Sequence, residues 1–286
     1  ADLTVTGGAG DDSIRIAGGS VDANDSINAG TGTDTLQLTS AVGSAAAGAK
    51  LAGFENLRIY QDVTAAGATT ITQDASYISG ITNVGVSKMT YTDDNDAAAD
   101  AATVTSAFTN MSATQTMSIS GITSAGDADD NGAMTAAVSF DLASDTTADS
   151  GTITLGTSTA AAAVAGANNA ITLNVTADDY ETLTIVNQGG SQTIGTLSAA
   201  DATSLTVNAS KAFTITTLTA AAVKTIDASA STANVTIGAT SLASTITGGA
   251  GNDTFTGSGN ADSMVGGAGN DTLDGGAGND NVAGGA

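Results

Sequence analysis

The chain of 286 residues contains no cysteine, no histidine, no proline and no tryptophan, and aromatic residues make up only 3% of it. Without cysteine there are no disulfides and no thiolate metal sites. Without histidine the chain can build neither a Ser-His-Asp triad nor an HExxH zinc site, which excludes hydrolases of both kinds. A pair of aspartates could still hydrolyse glycosides, but the usual aromatic platform for sugars is missing. We therefore expect no enzymatic activity.

Positive charge is also scarce, since 6 Lys+Arg oppose 29 Asp+Glu and the net charge is −23. Without a basic stripe, nucleic acids and anionic lipid headgroups are excluded as partners. No apolar run approaches the ~18 residues of a membrane-spanning helix, so we expect no transmembrane segment. Only Glu55 and Glu181 are glutamates, and all other acids are aspartates. Short carboxylates suit hard cations such as Ca²⁺, and bound cations would neutralise the self-repulsion of the chain.

A nine-residue repeat occupies both ends of the chain. The last part reads GGAGNDTFT, GSGNADSMV, GGAGNDTLD and GGAGNDNVA from Gly248 onward, without a gap. GGAGDDSIR begins at Gly7, and the looser copies SVDANDSIN and AGTGTDTLQ follow. Position six of these copies is occupied by Asp253, Asp262, Asp271 and Asp280 in the C-terminal array and by Asp12, Asp25 and Asp34 in the N-terminal array.

The residue types at positions one, two, four, six and eight of the repeat each have a chemical explanation. Glycine at positions one, two and four permits a sharp turn with positive φ, and the short carboxylate at position six reaches an ion held by the turn carbonyls. Position eight is always apolar, with Phe255, Met264, Leu273 and Val282, so it should point into a core. A flexible Gly/Asp linker would not need that residue. Besides the aspartates, the predicted metal-site residues are Gly8, Gly10, Gly249, Gly251, Gly267, Gly269, Gly276 and Gly278.

Two nonapeptides should complete one coil of a calcium-bound parallel β-roll, so that Asp253 stacks on Asp271 and Asp262 on Asp280. Several Ca²⁺ ions would then lie between stacked turns, and folding and metal binding would be one event. The second copy departs from the pattern at Ser258 and Asn260. Because asparagine tolerates left-handed geometry, we expect a weakened site there.

Two further acidic segments are candidates for cation binding. Asp127, Asp129 and Asn131 match the first half of an EF-hand loop, but Val138 stands where the loop needs a glutamate. A looser calcium loop and a solvated acidic turn both remain open. Asp93 and Asn95 lie in a second acidic run with the same two interpretations.

The middle of the chain is rich in Thr, Ser and Ala, and its apolar residues alternate as in short strands. Leu183, Leu205 and Ile226 recur at spacings of 22 and 21 residues, which favours a β-solenoid with a wide coil over an antiparallel sandwich. The predicted fold is all-β. It has β-roll segments at residues 1–40 and 246–286 that flank a solenoid-like region at 41–245.

Three segments resemble a known family: GSVDANDSINAGTGTDTLQL, then LAGFENLRIY, and later SAADATSLTVNAS ahead of the renewed repeats. Together with the nonapeptides they are similar to RTX-type surface-layer proteins of Gram-negative bacteria. The resemblance implies a secreted subunit, exported by type I secretion, that self-associates at the cell surface into a calcium-dependent sheet or filament. It also suggests lipopolysaccharide or another surface glycan as an anchoring partner, through a region absent from this sequence.

Other functions remain open at this point. An RTX adhesin or biofilm-matrix module that binds cells or glycans is the main alternative, and an enzyme with an RTX tail is another. Thr-x-Thr pairs such as Thr152 and Thr154 admit ice binding, although they lack a regular repeat. The sequence starts without a signal peptide and ends inside a repeat, so we expect a processed or excised piece of a longer protein.

Overall fold

The computed structural model shows an all-β chain divided into two compact units. One unit comprises residues 1–144 with 159–171, and the other comprises 145–158 with 172–286. The structure describes residues 2–43, 50–64, 67–92, 101–125, 133–156, 171–242 and 244–286. Within those ranges the only helices are two short 3₁₀ helices, Gly18–Ser20 and Ala75–Tyr77. The candidate cation residues Asp93, Asn95, Asp127, Asp129 and Asn131 lie outside the described residues.

The described part of the first unit forms three parallel sheets. Their orders are β1-β3-β5, β2-β4-β6-β8-β10 with β11 also beside β8, and β7-β9-β12. The strands are β1 Thr4–Ala9, β2 Ser13–Ile16, β3 Ser26–Thr31, β4 Thr35–Leu38, β5 Lys50–Ala52, β6 Asn56–Val63, β7 Gly67–Asp74, β8 Asn83–Thr92, β9 Ala101–Met111, β10 Thr116–Ile119, β11 Ile122–Ala125 and β12 Ala133–Leu142.

The second unit forms two parallel sheets, one of the odd-numbered strands β13 to β25 and one of the even-numbered strands β14 to β24. The strands are β13 Ser150–Leu155, β14 Ile171–Thr176, β15 Thr182–Asn187, β16 Gln192–Ser198, β17 Ser204–Ala209, β18 Phe213–Thr219, β19 Thr225–Asp227, β20 Val235–Ile237, β21 Thr245–Thr247, β22 Thr254–Thr256, β23 Ser263–Gly267, β24 Thr272–Asp274 and β25 Asn281–Gly285. Consecutive strands alternate between the sheets and each pairs in parallel with the strand two further on, so the chain winds as a solenoid. The all-β, parallel prediction is confirmed, and the antiparallel sandwich is wrong.

The register of the second unit follows the apolar spacing of the sequence. Leu183 pairs with Leu205, and Leu205 with Ile226. The same row continues into the nonapeptides through Met264 and Val282. The coil shortens from 22 residues, between Leu183 and Leu205, to 18, between Met264 and Val282, because the turns become shorter. The C-terminal repeats therefore extend the same two sheets. The domain boundaries that we predict near residues 40 and 245 stay a prediction.

The core consists of side chains that alternate inward along each strand. In β17, Leu205 and Val207 are buried, while Ser204 and Thr206, which alternate with them, are only partly covered. Each fully buried aliphatic side chain contributes about 1.5–3 kcal/mol, so stability depends on coils that cover each other. In the first unit, Phe108 and Phe140 stack on neighbouring strands with ring centroids 5.6 Å apart.

The position-eight side chains of the C-terminal array are buried in the first two nonapeptides and more exposed in the last two. Phe255 and Met264 are each 1% exposed, and Leu273 is half-buried. Val282 is 46% exposed, contrary to the expectation of a buried residue. It lies in β25, the edge strand of its sheet, which pairs with β23.

In the ranges that the structure describes, no helix has the length and apolar character needed to cross a membrane.

Candidate calcium sites in the turns

The position-six aspartates of the C-terminal array stack in two columns. The backbone N–H of Asp253 donates to Oδ1 of Asp271 at 2.9 Å, and the N–H of Asp262 donates to Oδ1 of Asp280 at 2.9 Å. Each aspartate is the last residue before a strand, so the parallel ladder places equivalent carboxylates on consecutive coils. The predicted stacking of these four aspartates is therefore found in the structure.

The second carboxylate oxygen distinguishes the aspartates from one another. Oδ2 of Asp253 accepts the N–H of Gly249 at 2.8 Å. Oδ2 of Asp262 accepts both the N–H and the hydroxyl of Ser258, at 2.8 and 3.0 Å. Oδ2 of Asp271 is buried and has no hydrogen-bond partner. A buried, unpaired carboxylate oxygen is costly, and a bound cation would satisfy it.

The space beside position one is lined by oxygen atoms. A methyl group on Gly248 would lie closer than 3.0 Å to Oδ2 of Asp253 and to the carbonyl oxygen of Gly266. A methyl group on Gly266 would meet Oδ2 of Asp271 and the carbonyl oxygen of Gly284 in the same way. Gly7 and Gly257 repeat the arrangement. These contacts bring carboxylate and carbonyl oxygens of consecutive coils close together, and both are oxygen types that Ca²⁺ takes as ligands, so the residues fit this ion.

Position one differs from its predicted role. Its glycines do not have φ values in the left-handed region; they are required because oxygen atoms occupy the place of a side chain. At positions two and four the prediction holds for Gly267 and Gly269, with φ of 107° and 127°. It also holds for Gly10, Gly276 and Gly278, but not for Gly8, Gly249 and Gly251.

The degenerate second repeat uses side-chain chemistry in place of glycine. Asn260 does not have positive φ, contrary to the expectation of left-handed geometry. Instead, the hydroxyl of Ser258 accepts the N–H of Asn260 at 2.9 Å and donates to Oδ2 of Asp262. The serine closes the turn and occupies the carboxylate oxygen, which is a physical reason for a weaker cation site.

The N-terminal array repeats the ladder with wider coils. The N–H of Asp12 donates to Oδ1 of Asp34 at 2.7 Å, and Oδ2 of Asp12 accepts the N–H of Gly8 at 3.0 Å. Asp25 lies apart from this column, before β3 of another sheet. Hydrogen bonds from the N–H groups of Leu3, at 2.6 Å, and Asp22, at 2.8 Å, lower the pKa of Asp25.

A second ladder at position five was missed by the sequence reasoning. Oδ1 of Asn234 accepts the N–H of Asn252, and Oδ1 of Asn252 accepts the N–H of Asn270, both at 2.9 Å. Asp11 does the same for Thr33 in the N-terminal array. The recurrence of Asn at intervals of 18 residues was the available signal. Position five therefore joins consecutive coils from the opposite direction to position six.

Nowhere in the described ranges do three or more carboxylates converge on a point that could hold a metal ion. A cation in the described turns would therefore have at most two side-chain carboxylates, and its other oxygens would come from backbone carbonyls, other side chains or water. Mixed shells of this kind are within the normal range for Ca²⁺.

Two glycine substitutions test the oxygen-lined space. We expect Gly266→Ala to weaken calcium binding and to destabilise the array by about 1–3 kcal/mol, because the methyl group meets two oxygen atoms. Gly259→Ala is the matched control, since nothing lies within 4 Å of the added methyl group. Calcium titration with thermal melting compares them. Equal behaviour of the two variants would contradict the assignment of the site.

Comparison with protein-family models matches four copies of the RTX calcium-binding nonapeptide repeat, at residues 4–20, 21–37, 243–264 and 256–286. These repeats bind Ca²⁺, and several copies imply several ions. The match confirms both predicted arrays and covers the ends of the chain only. Repeats of this kind are typical of secreted proteins. No curated protein and no solved structure matches the chain.

Proposed function

We propose that this RTX-type protein, with calcium-binding repeats at residues 4–37 and 243–286, is a structural subunit of an extracellular surface layer or filament whose assembly requires calcium. The observation that carries the proposal is the ladder of carboxylates between coils, which includes Asp253 to Asp271 and Asp12 to Asp34. Because these carboxylates join consecutive coils, cations between them decide whether the coils stack. A calcium-controlled stack of coils suits an extended scaffold.

The proposed role is structural and not catalytic, and it is performed outside the cell. The chain has no histidine and no cysteine, so few of its side chains could act as a general acid, a general base or a nucleophile. Extracellular calcium-binding modules bind at about 10⁻⁴–10⁻³ M, a concentration that is found outside cells. The resemblance of the GFENLRIY and SAADATSLTVNAS segments to surface-layer proteins also supports a coat over other RTX proteins.

A calcium titration that follows circular dichroism and light scattering on the same sample tests the proposal. We expect two separable transitions, folding first and assembly into sheets or filaments at higher calcium. The second transition should reverse on addition of EGTA. A protein that folds fully but stays monomeric at millimolar calcium and high protein concentration would contradict a structural-layer function.

A basic cluster favours a second candidate, an adhesin that binds an anionic cell-surface polysaccharide. Arg15, Arg58 and Lys88 lie on the outward side of the sheet that contains β2, β6 and β8. The Arg15 guanidinium lies 3.6 Å from the centroid of the Tyr60 ring, and Lys88 pairs with Asp62 at 2.6 Å. Burial lowers the pKa of Arg58 to about 10, which keeps it charged at neutral pH.

Binding by the monomer tests the second candidate. If the basic cluster binds a glycan, monomeric protein should bind an anionic polysaccharide at low salt but not at high salt, and Arg15→Ala should weaken that binding. Lys211→Ala serves as the control, because Lys211 is a cation of the other compact unit. Absence of binding by monomeric protein would leave the layer as the supported function.

A further inference from the structure

The two glutamates of the chain occupy the same place in the fold. Glu55 is the last residue before β6 and Glu181 the last before β15, as position-six aspartates are before their strands. Each follows a fully buried aromatic residue, Phe54 or Tyr180. Neither glutamate falls within the residues matched to the nonapeptide repeat. Stacked carboxylates before strands therefore also occur outside the recognised repeats.

Both glutamates make the hydrogen bond that is typical of position six. The N–H of Asp34 donates to Oε2 of Glu55 at 2.8 Å, and the N–H of Asp149 donates to Oε2 of Glu181 at 2.6 Å. The strand register also aligns each pair, because Thr35 pairs with Asn56 and Ser150 pairs with Thr182.

The turn next to Glu55 contains an unsatisfied carboxylate oxygen. Asp34 is 0% exposed, its Oδ1 accepts the N–H of Asp12, and its Oδ2 is buried without a partner. In Asp12 the corresponding oxygen accepts the N–H of the residue four positions earlier. Here that N–H belongs to Gly30 and donates to Oδ1 of Asn28 at 3.0 Å instead. Asn28 thus leaves the Asp34 oxygen free for another ligand.

The usual oxygen-lined space is also altered in this turn. Position one of the repeat is Ala29, a fully buried residue, where most other copies have glycine. Its methyl group stands where the glycine of the other turns leaves room for converging oxygens. The oxygens around Asp34 are therefore arranged differently from those of the other turns, and the next carboxylate along its column belongs to Glu55.

We propose that Asp34 and Glu55 together hold a calcium ion, so that a glutamate outside the matched repeats completes the site of the last N-terminal nonapeptide. Oδ2 of Asp34 supplies one oxygen and the carboxylate of Glu55 supplies the other negative charge. Turn carbonyls and water would complete the about six to eight oxygens that Ca²⁺ takes. Glu181 accepts the same hydrogen bond, but Oδ2 of its partner Asp149 already accepts the N–H of Thr146, so we expect no ion there. The proposal is independent of assembly.

The test counts bound calcium by isothermal titration and native mass spectrometry of the monomeric chain. Glu55→Gln should bind one ion fewer than the wild type, because glutamine keeps an acceptor for the Asp34 N–H but loses the charge. Glu181→Gln, the matched control, should keep the full count. A Glu55→Gln variant with the full count, beside an Asp34→Asn variant that loses an ion, would overturn the proposal. So would an equal loss in both glutamate variants.

A second variant keeps the test decisive if Glu55→Gln fails to fold. Asn28 is exposed in β3 and touches neither proposed charge, so Asn28→Ala should fold. It frees the Gly30 N–H to bond Oδ2 of Asp34, which should weaken this one site about tenfold, as loss of supporting contacts around a metal does. Unchanged affinity at every site in Asn28→Ala would contradict the role of the unpaired oxygen.

Discussion

Chelation of Ca²⁺ by EGTA is expected to unfold both end arrays while the coils from β15 to β18 stay folded. In the C-terminal array, consecutive coils carry stacked carboxylates one strand spacing apart, as at Asp253 and Asp271. Without cations these like charges repel each other at short range in a partly buried setting. The turns also contain little apolar surface to offset that repulsion. Calcium and folding should therefore be coupled in these segments.

The expected size of the effect is large. An ion present at 100 times its dissociation constant contributes about 2.7 kcal/mol to stability. Several ions together match the ~5–15 kcal/mol of a whole domain. The loss stays local because each coil of a solenoid interacts only with its neighbours. The coils around Leu183, Ile185, Leu205 and Val207 have a fully buried aliphatic core of their own.

Hydrogen exchange with mass spectrometry measures this directly. Peptides from residues 246–286 and from the N-terminal array should lose protection in EGTA, whereas peptides from β15 and β17 should keep it. Restoration by Ca²⁺ but not by equal Mg²⁺ is the control, because Mg²⁺ demands tighter octahedral geometry. An exchange pattern that EGTA does not change would contradict the coupling of calcium to folding.

Asp262→Ala is expected to lose mainly folding stability, whereas Asp271→Ala is expected to lose mainly calcium binding. Asp262 is 3% exposed and accepts hydrogen bonds from the N–H groups of Ser244 and Ser258. Its removal leaves buried donors unpaired at about 1–3 kcal/mol each, with or without calcium. Asp271 has one oxygen without a protein partner, so its removal should cost mainly calcium binding. Asp271→Ala should therefore lower the calcium count and midpoint more than Asp262→Ala.

Denaturant unfolding of each variant, in calcium and in EGTA, separates these effects. Asp262→Ala should be less stable than wild type under both conditions, and Asp271→Ala mainly in calcium. Asp227→Ala is the control, because Asp227 lies outside the nonapeptides and its Oδ1 accepts the N–H of Ser229. Equal losses of calcium in the two repeat variants would show that the second repeat is not weakened.

The periodic features of the chain were predictable from sequence. A strict nine-residue period places Asp253 and Asp271 on consecutive coils, because 18 residues make one coil. The spacing of Leu183, Leu205 and Ile226 likewise gave the register of β15, β17 and β19. Regular spacing translates into stacking because a parallel ladder permits little slippage once one face is buried.

The less periodic features were not predictable. Glu55 follows Asp34 by 21 residues and Glu181 follows Asp149 by 32, so no fixed spacing reveals that both pairs are stacked. Their position depends on turn lengths, which the sequence does not display. The role of glycine at position one was also missed, because the approach of oxygen atoms from the next coil is a tertiary contact. Ser258 shows the same limit, since its bond to Asp262 replaces a feature of the repeat.

Anomalous X-ray scattering from crystals grown in Ca²⁺ tests the central claim most directly, because it locates the ions without assuming which residues bind them. The account predicts peaks between stacked turns in the C-terminal array, beside Asp253 and Asp271, and a further peak between Asp34 and Glu55. A well-ordered C-terminal array without anomalous peaks in its turns would contradict the account.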